Sequence, residues 1–116
     1  MFDIVALGEV LIDFTYHSKS EAGNALFEQN PGGAPANVLA LAAGFGLRTA
    51  FIGKVGADMH GEFLRQVLES KGICATGLIA TPDAFTTLAF VKLDNGERSF
   101  SFAWTPSICL ARRAKV

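Results

Sequence analysis

The sequence predicts an α/β fold, a two-layer body that carries a small β flap. Three observations point to it. Near-unbroken apolar runs over residues 2–7 and 49–53 have the character of strands buried on both faces, as parallel sheets require. Helical patterns over 36–45 and 59–71 alternate with these strands, the grammar of βαβ units joined by right-handed crossovers. Past Ile73 the chain turns to extended, β-branched and aromatic segments around Asn95-Gly96, the signal of a tight hairpin.

Each element has its own signals. In residues 2–7 only Asp3 is polar, and Gly8-Glu9-Val10-Leu11-Ile12-Asp13-Phe14 follows. Residues 15–30 are polar and irregular. The most informative run is Pro31-Gly32-Gly33-Ala34-Pro35-Ala36-Asn37. Gly32 and Gly33 can take positive φ and let a ligand approach the main chain. Pro35 suits the first helical turn, where its missing N–H costs nothing. Val38-Leu39-Ala40-Leu41-Ala42-Ala43 continues the helix, so Asn37 sits in the first turn beside unpaired N–H groups. That combination can grip the hydroxyls of a small polar ligand. It also fits a tight strand-to-helix turn with no ligand.

The first helix ends near Gly44 or Gly46, and the second strand leads through Lys54-Val55-Gly56-Ala57-Asp58 to the second helix. Asp58 can cap that helix. Met59, Phe63, Leu64, Val67 and Leu68 form its apolar face, with Glu62, Arg65, Gln66 and Glu69 on the polar side. Gly72, after Lys71, fits the left-handed stop. Residues 73–80 and 86–93 read as extended, and Asp94-Asn95-Gly96-Glu97 as a type I′ turn. Phe100 and Phe102 alternate with Ser99 and Ser101, a strand with one aromatic face. Residues 104–116 have no clear pattern and end basic.

Composition narrows the functions. A chain of 116 residues predicts one domain, and half its residues are hydrophobic, with mean hydropathy +0.33. The net charge of −1 argues against nucleic acid and anionic membranes as partners. No run reaches the roughly 18 apolar residues of a membrane span. Met1-Phe2-Asp3 has no basic n-region, so no signal peptide is expected. Cys74 and Cys109 form no C-x-x-C pair and suit a reducing cytoplasm.

Few side chains carry obvious chemistry. Gly53-Lys54 is followed by Val55 rather than Ser or Thr, and Gly44-Phe45-Gly46 lacks the third glycine of the dinucleotide fingerprint. Asp13 is the best carboxylate. It is expected just past a buried strand, the side where open α/β sheets bind ligands, and one carboxylate can accept hydrogen bonds from two hydroxyls. It equally fits a solvated loop acid or a local cap. Glu9 would face the other way. Lys54 is a candidate phosphate partner or a solvated surface lysine. His17 and His60 have no partner at metal or catalytic spacing, and His60 is expected to be exposed. Phe90, Phe100 and Phe102 read as flap packing, and such a flap can also cover a sugar.

Taken together, the Gly8–Phe14 run, the double-glycine block ending at Asn37 and Phe51-Ile52-Gly53-Lys54-Val55-Gly56-Ala57-Asp58-Met59-His60-Gly61 resemble the N-terminal part of ribokinase-like (PfkB) sugar kinases. Thr87-Leu88-Ala89-Phe90-Val91 and Asp94-Asn95-Gly96-Glu97-Arg98 look most like fructokinases. The resemblance runs from about residue 4 to residue 103.

It implies an α/β sandwich with a β lid that often makes a dimer contact, and ATP-dependent phosphate transfer to a sugar hydroxymethyl group. Asp13, Gly32, Gly33 and Asn37 resemble the family's sugar-binding residues. Lid strands are expected from about 15–30 and 73–103, and residues 104–116 form a divergent tail. Complete family members are much longer and use ATP and Mg2+. The Gly-Ala-Gly-Asp stretch that supplies their anion hole and catalytic base is missing here, as is the nucleotide half. The change of pattern after Ala103 resembles a truncated or frame-shifted reading. The chain is therefore expected to bind sugar without acting as a kinase, and to self-associate through the lid or an open sheet edge.

Overall fold

The computed structural model describes residues 1–103. The divergent tail 104–116 and Cys109 lie outside the described residues. In chain order the elements are β1 (Ile4–Leu7), β2 (Leu11–Lys19), β3 (Ala25–Gly32), α1 (Ala34–Gly44), β4 (Thr49–Gly56), α2 (Met59–Ser70), β5 (Ile73–Thr81), β6 (Leu88–Asp94) and β7 (Glu97–Ala103). They form two sheets. The body sheet is parallel, in the order β1-β4-β5; the lid sheet is mixed, in the order β3-β2-β6-β7. This is the predicted α/β architecture with a β lid.

The body is built as its apolar pattern requires. Phe51 and Val55 of β4 and Ile73, Ala75 and Leu78 of β5 form one core with Leu39 of α1 and Leu64 and Leu68 of α2, all nearly inaccessible. Ile4 and Ala6 of β1 pack against it. The alternate residues Val5, Leu7 and Ile52 are 50%, 66% and 39% exposed, so both helices serve one face of the sheet. Asp3 ties the start of β1 to the start of β4, accepting from the Arg48 backbone N–H at 2.8 Å and pairing with its guanidinium at 3.1 Å.

Local signals set the helix ends. Gly33 is the N-cap residue of α1 and Pro35 lies at its N-terminus. Asp58 caps α2 by accepting from the Gly61 N–H at 2.8 Å. Gly72, at φ 78°, takes the left-handed position that ends it. On the polar side of α2, Arg65 reaches the sheet and donates to the carbonyls of Ala75 (2.9 Å), within the irregular part of β5, and Leu78 (2.6 Å), just past it.

Residues 15–30, irregular by residue pattern but expected as lid strands from the family resemblance, lie in the antiparallel pair β2 and β3, and β2 starts earlier, at Leu11. One lid assignment departs from expectation. Residues 73–81, assigned to the lid, pair in parallel with β4 and lie in the body sheet, so the second lid hairpin begins at Leu88. The hairpin itself is as predicted: Asn95 (φ 50°) and Gly96 (φ 82°) both take the positive φ of a type I′ turn between paired Asp94 and Glu97.

Candidate functional site

The site is a seam where the C-terminal end of β1 passes into the lid. Val10 and Ile12, 4% and 0% exposed, anchor the root of β2 in the body core. Strand alternation then decides which residue faces where. Ile12, Phe14 and Tyr16 share one face of β2, and Leu11, Asp13 and Thr15 the other. Phe14 stacks on Phe90 with ring centroids 5.2 Å apart, and its edge meets His60 of α2. The aromatic face of the lid root therefore turns toward α2, and Asp13 lies on the opposite face.

Asp13 is not in a loop past β1. It sits within β2, opposite Asn30 of β3 on one side and Ala89 of β6 on the other. The turn after Leu7 is short, and the buried pair Leu11-Ile12 starts a new strand before Asp13 is reached. The register brings its carboxylate onto Gly32: a Cβ built there would be 2.5 Å from Asp13 Oδ2. Any side chain at position 32 would displace the acid. Asp13 is half-buried, and no described residue donates a hydrogen bond to its carboxylate. Both oxygens keep lone pairs for donors of a ligand.

Gly33 needs to be glycine for two reasons. Its φ is +110°, and a Cβ would lie 2.6 Å from the Glu9 carbonyl oxygen. The chain reversal from β3 into α1 thus passes directly over the exit of β1. The Gly33 carbonyl accepts from the Asn37 N–H at 3.1 Å, the first bond of α1. The Asn37 side chain is exposed. Asn37 and Gly32 border a narrow crevice, with Ala36, Leu64 and Leu68, that does not include Asp13. The structure thus brings Asp13 and Gly32 into contact and places Gly33 and Asn37 next to them along the chain.

Other residues depart from the sequence reading. Asn30 and Thr15, not singled out in the sequence, share the face of Asp13, and Asn30 Nδ2 donates to Thr15 Oγ1 at 3.3 Å. The alternation Leu11-Asp13-Thr15 is a sequence signal for Thr15, whereas Asn30 is brought there by the register of β3 against β2. His60 is half-buried rather than exposed, with Nδ1 enclosed and without a hydrogen-bond partner among the described residues. It is enclosed because the lid root, through Phe14, comes down on the start of α2. Lys54 lies on β4 and has an interaction of its own. A hollow of about 480 Å3 lined by Arg48, Arg65 and Cys74 opens at the starts of β4 and β5, the far end of the sheet from Asp13.

A family model for pfkB family carbohydrate kinases matches residues 1–114. The chain belongs to the pfkB family of carbohydrate kinases. It is 46% identical over 107 residues to probable fructokinase-6, chloroplastic, of Arabidopsis thaliana, covering 90% of this chain and 28% of that protein. Fructokinase-2 of Oryza sativa subsp. japonica is 40% identical over 129 residues, with 97% of this chain and 38% of that protein covered.

Among solved structures, fructokinase from Xylella fastidiosa superposes with a TM-score of 0.82 at 43% identity, over 89% of this chain and 32% of that one. Fructokinase from the same organism with bound ATP gives 0.82 at 40% identity, over 91% and 34%. The chain thus spans about a third of the length of the relatives it matches.

Among the described residues of this pfkB chain, no group of three His, Cys, Asp or Glu side chains could hold a metal ion. The glycines of the 53–56 stretch belong to strand β4 rather than to a phosphate-cradling loop at a helix N-terminus. What the described residues offer chemically is a half-buried carboxylate, Asp13, set against the backbone of Gly32. No helix among the described residues is long and apolar enough to cross a membrane.

Proposed function

We propose that this chain carries the sugar-binding floor and the lid of a fructokinase-type sugar kinase. The complete enzyme would transfer phosphate from ATP to the hydroxymethyl group of a sugar, with fructose as first choice. Asp13 accepts hydrogen bonds from two sugar hydroxyls, Gly32 leaves that carboxylate undisplaced, and Gly33 allows the chain reversal that brings the start of α1 beside it. Asn37 contributes at the start of α1. The observation that carries this reading is the half-buried Asp13 carboxylate set against Gly32 by the β2–β3 register. The names of the matched relatives support fructose over ribose. Free Cys74 suits a reducing compartment, with the cytoplasm favoured, although one matched relative is named chloroplastic.

Phosphate transfer needs a base for the attacking hydroxyl and donors for the transferring phosphoryl group. Asp13 resembles a hydroxyl binder, so this chain alone is inactive as a kinase. A second reading, a sugar-binding or lid module that associates with another copy, is favoured by Phe100 and Phe102. These rings stack on the outer lid strand, 56% and 64% exposed.

Titration calorimetry with fructose, ribose and glucose tests the sugar site. The expected result is fructose binding that weakens at least about tenfold in Asp13→Ala, the scale of losing charge-assisted hydrogen bonds. Absence of heat with every sugar, or full affinity in Asp13→Ala, contradicts it.

A further inference from the structure

The block Gly56-Ala57-Asp58-Met59-His60-Gly61 has no part in the sugar site, yet four side-chain hydrogen bonds meet at its Asp58 and at Thr86. Asp58 Oδ1 accepts from the Gly61 N–H (2.8 Å) and from the Thr86 hydroxyl (2.7 Å), and Oδ2 accepts from the Thr86 N–H (2.9 Å). Thr86 Oγ1 in turn accepts from the Gly56 N–H at 3.0 Å. Thr86 is 1% exposed and Asp58 is half-buried, so the bonds are partly shielded from water, which strengthens charge-assisted hydrogen bonds. Burial acts to raise the Asp58 carboxyl, but the Thr86 and Gly61 donors outweigh it, helped by His60, and hold it below its ordinary value.

Both glycines of the block serve this contact. A Cβ at Gly56 would lie 2.6 Å from the Ala84 carbonyl oxygen and from the Thr86 nitrogen. A Cβ at Gly61 would strike the Gly56 carbonyl and come within 3.2 Å of Thr86 Oγ1. The spacing Gly-x-Asp-x-x-Gly is thus a receptacle for one threonine on the connection from β5 to β6. The start of that connection is fixed too, because Thr81 accepts from the Ala57 N–H at 2.7 Å. The next residue, Thr87, gives its carbonyl to the Ile12 N–H at 3.2 Å, and Ile12 immediately precedes Asp13. A continuous path therefore runs from the α2 cap through Thr86 and Thr87 to Ile12 and Asp13.

We propose that Asp58 and Thr86 form a latch that positions Asp13: it fixes the root of β6 on the body and, through Thr87 and Ile12, sets the carboxylate over Gly32. Neither residue touches the sugar. The proposal rests on the reading of Asp13 as the hydroxyl acceptor.

The test uses the whole chain and two readouts, residue-resolved hydrogen exchange and fructose calorimetry. Thr86→Val keeps the bond from Gly61 to Asp58 and removes the hydroxyl, whereas Thr86→Ser keeps the hydroxyl. In Thr86→Val the amides of Ile12 and β6 are expected to exchange about tenfold faster while those of α2 and β4 hardly change. Fructose affinity is expected to fall about threefold or more, and Thr86→Ser to restore both. Should Thr86→Val not fold, Asp58→Ser, which retains a capping side chain but does not reach Thr86, is expected to give the same local pattern.

A uniform rise in exchange across body and lid, unchanged exchange at Ile12 and β6, or undiminished fructose affinity despite a loosened β6 would each overturn the latch. If the unaltered chain binds no fructose, the sugar reading fails and with it the positioning of a sugar carboxylate. The exchange data then still decide whether Asp58 and Thr86 hold the lid root.

Discussion

The body and lid sheets have three and four strands, and they are held in different ways. The body sheet buries one face under two helices, with Phe51, Leu39 and Leu64 inaccessible at its centre. The lid sheet has its apolar anchor only at the root, where Ile12 is buried and Leu88 packs on the body core. Beyond that point β7 is exposed along its whole length and β3 along its first half. Hydrophobic burial therefore holds the body, while cross-strand hydrogen bonds, aromatic pairs and the Asp58–Thr86 contact hold the lid. Asp13 and Gly32 lie at the seam, one step beyond the buried root. A carboxylate there is fixed by the body and only half-buried.

Substitutions can break that contrast. Phe51→Ala removes the largest fully buried side chain of the body and is expected to cost about 3–5 kcal/mol. Such a loss would unfold body and lid together, because Val10 and Ile12 share the same core. Urea denaturation followed by circular dichroism reads it, and a lid signal surviving after the body signal is lost would contradict the shared core.

At the other extreme, Phe100→Ser with Phe102→Ser changes side chains that are more than half exposed. Stability is expected to shift by less than about 1 kcal/mol in the same assay. The larger effect falls on association: light scattering is expected to show self-association in the unaltered chain and its weakening in the double variant. A chain that scatters as a monomer at every concentration would remove the lid from the list of contact surfaces.

Local signals were readable in the sequence because their physics is local. The Asp58 cap, the Gly72 stop, Pro35 at the start of α1 and the Asn95-Gly96 turn each depend on a few neighbouring residues, and the structure places all of them as expected. By residue pattern alone 15–30 read as irregular, and only the family resemblance pointed to lid strands there, because a lid strand with little burial has no apolar period: Thr15, His17, Ser18, Glu28 and Gln29 look like loop residues and are strand residues.

Strand partnership was equally hidden. Residues 73–81 have the same extended character whether they pair with β4 or with the lid, and only the tertiary fold assigns them to β4. The contact of Asp13 with Gly32 depends on the register of β2 against β3. The partner of Asp58 lies 28 residues away, so a cap was visible and a latch was not. His60 was misjudged for the same reason, since Phe14 reaches it from a different sheet.

In the proposed function, sugar recognition belongs to this chain at Asp13 and phosphate transfer does not. The most direct test is fructose-dependent ADP release by purified chain of verified mass, measured beside fructose binding on the same sample. The account predicts fructose binding that depends on Asp13, with ADP release no greater than a no-enzyme control. Turnover well above that control and lost in Asp13→Ala would contradict it, because the transfer chemistry would then reside in this chain.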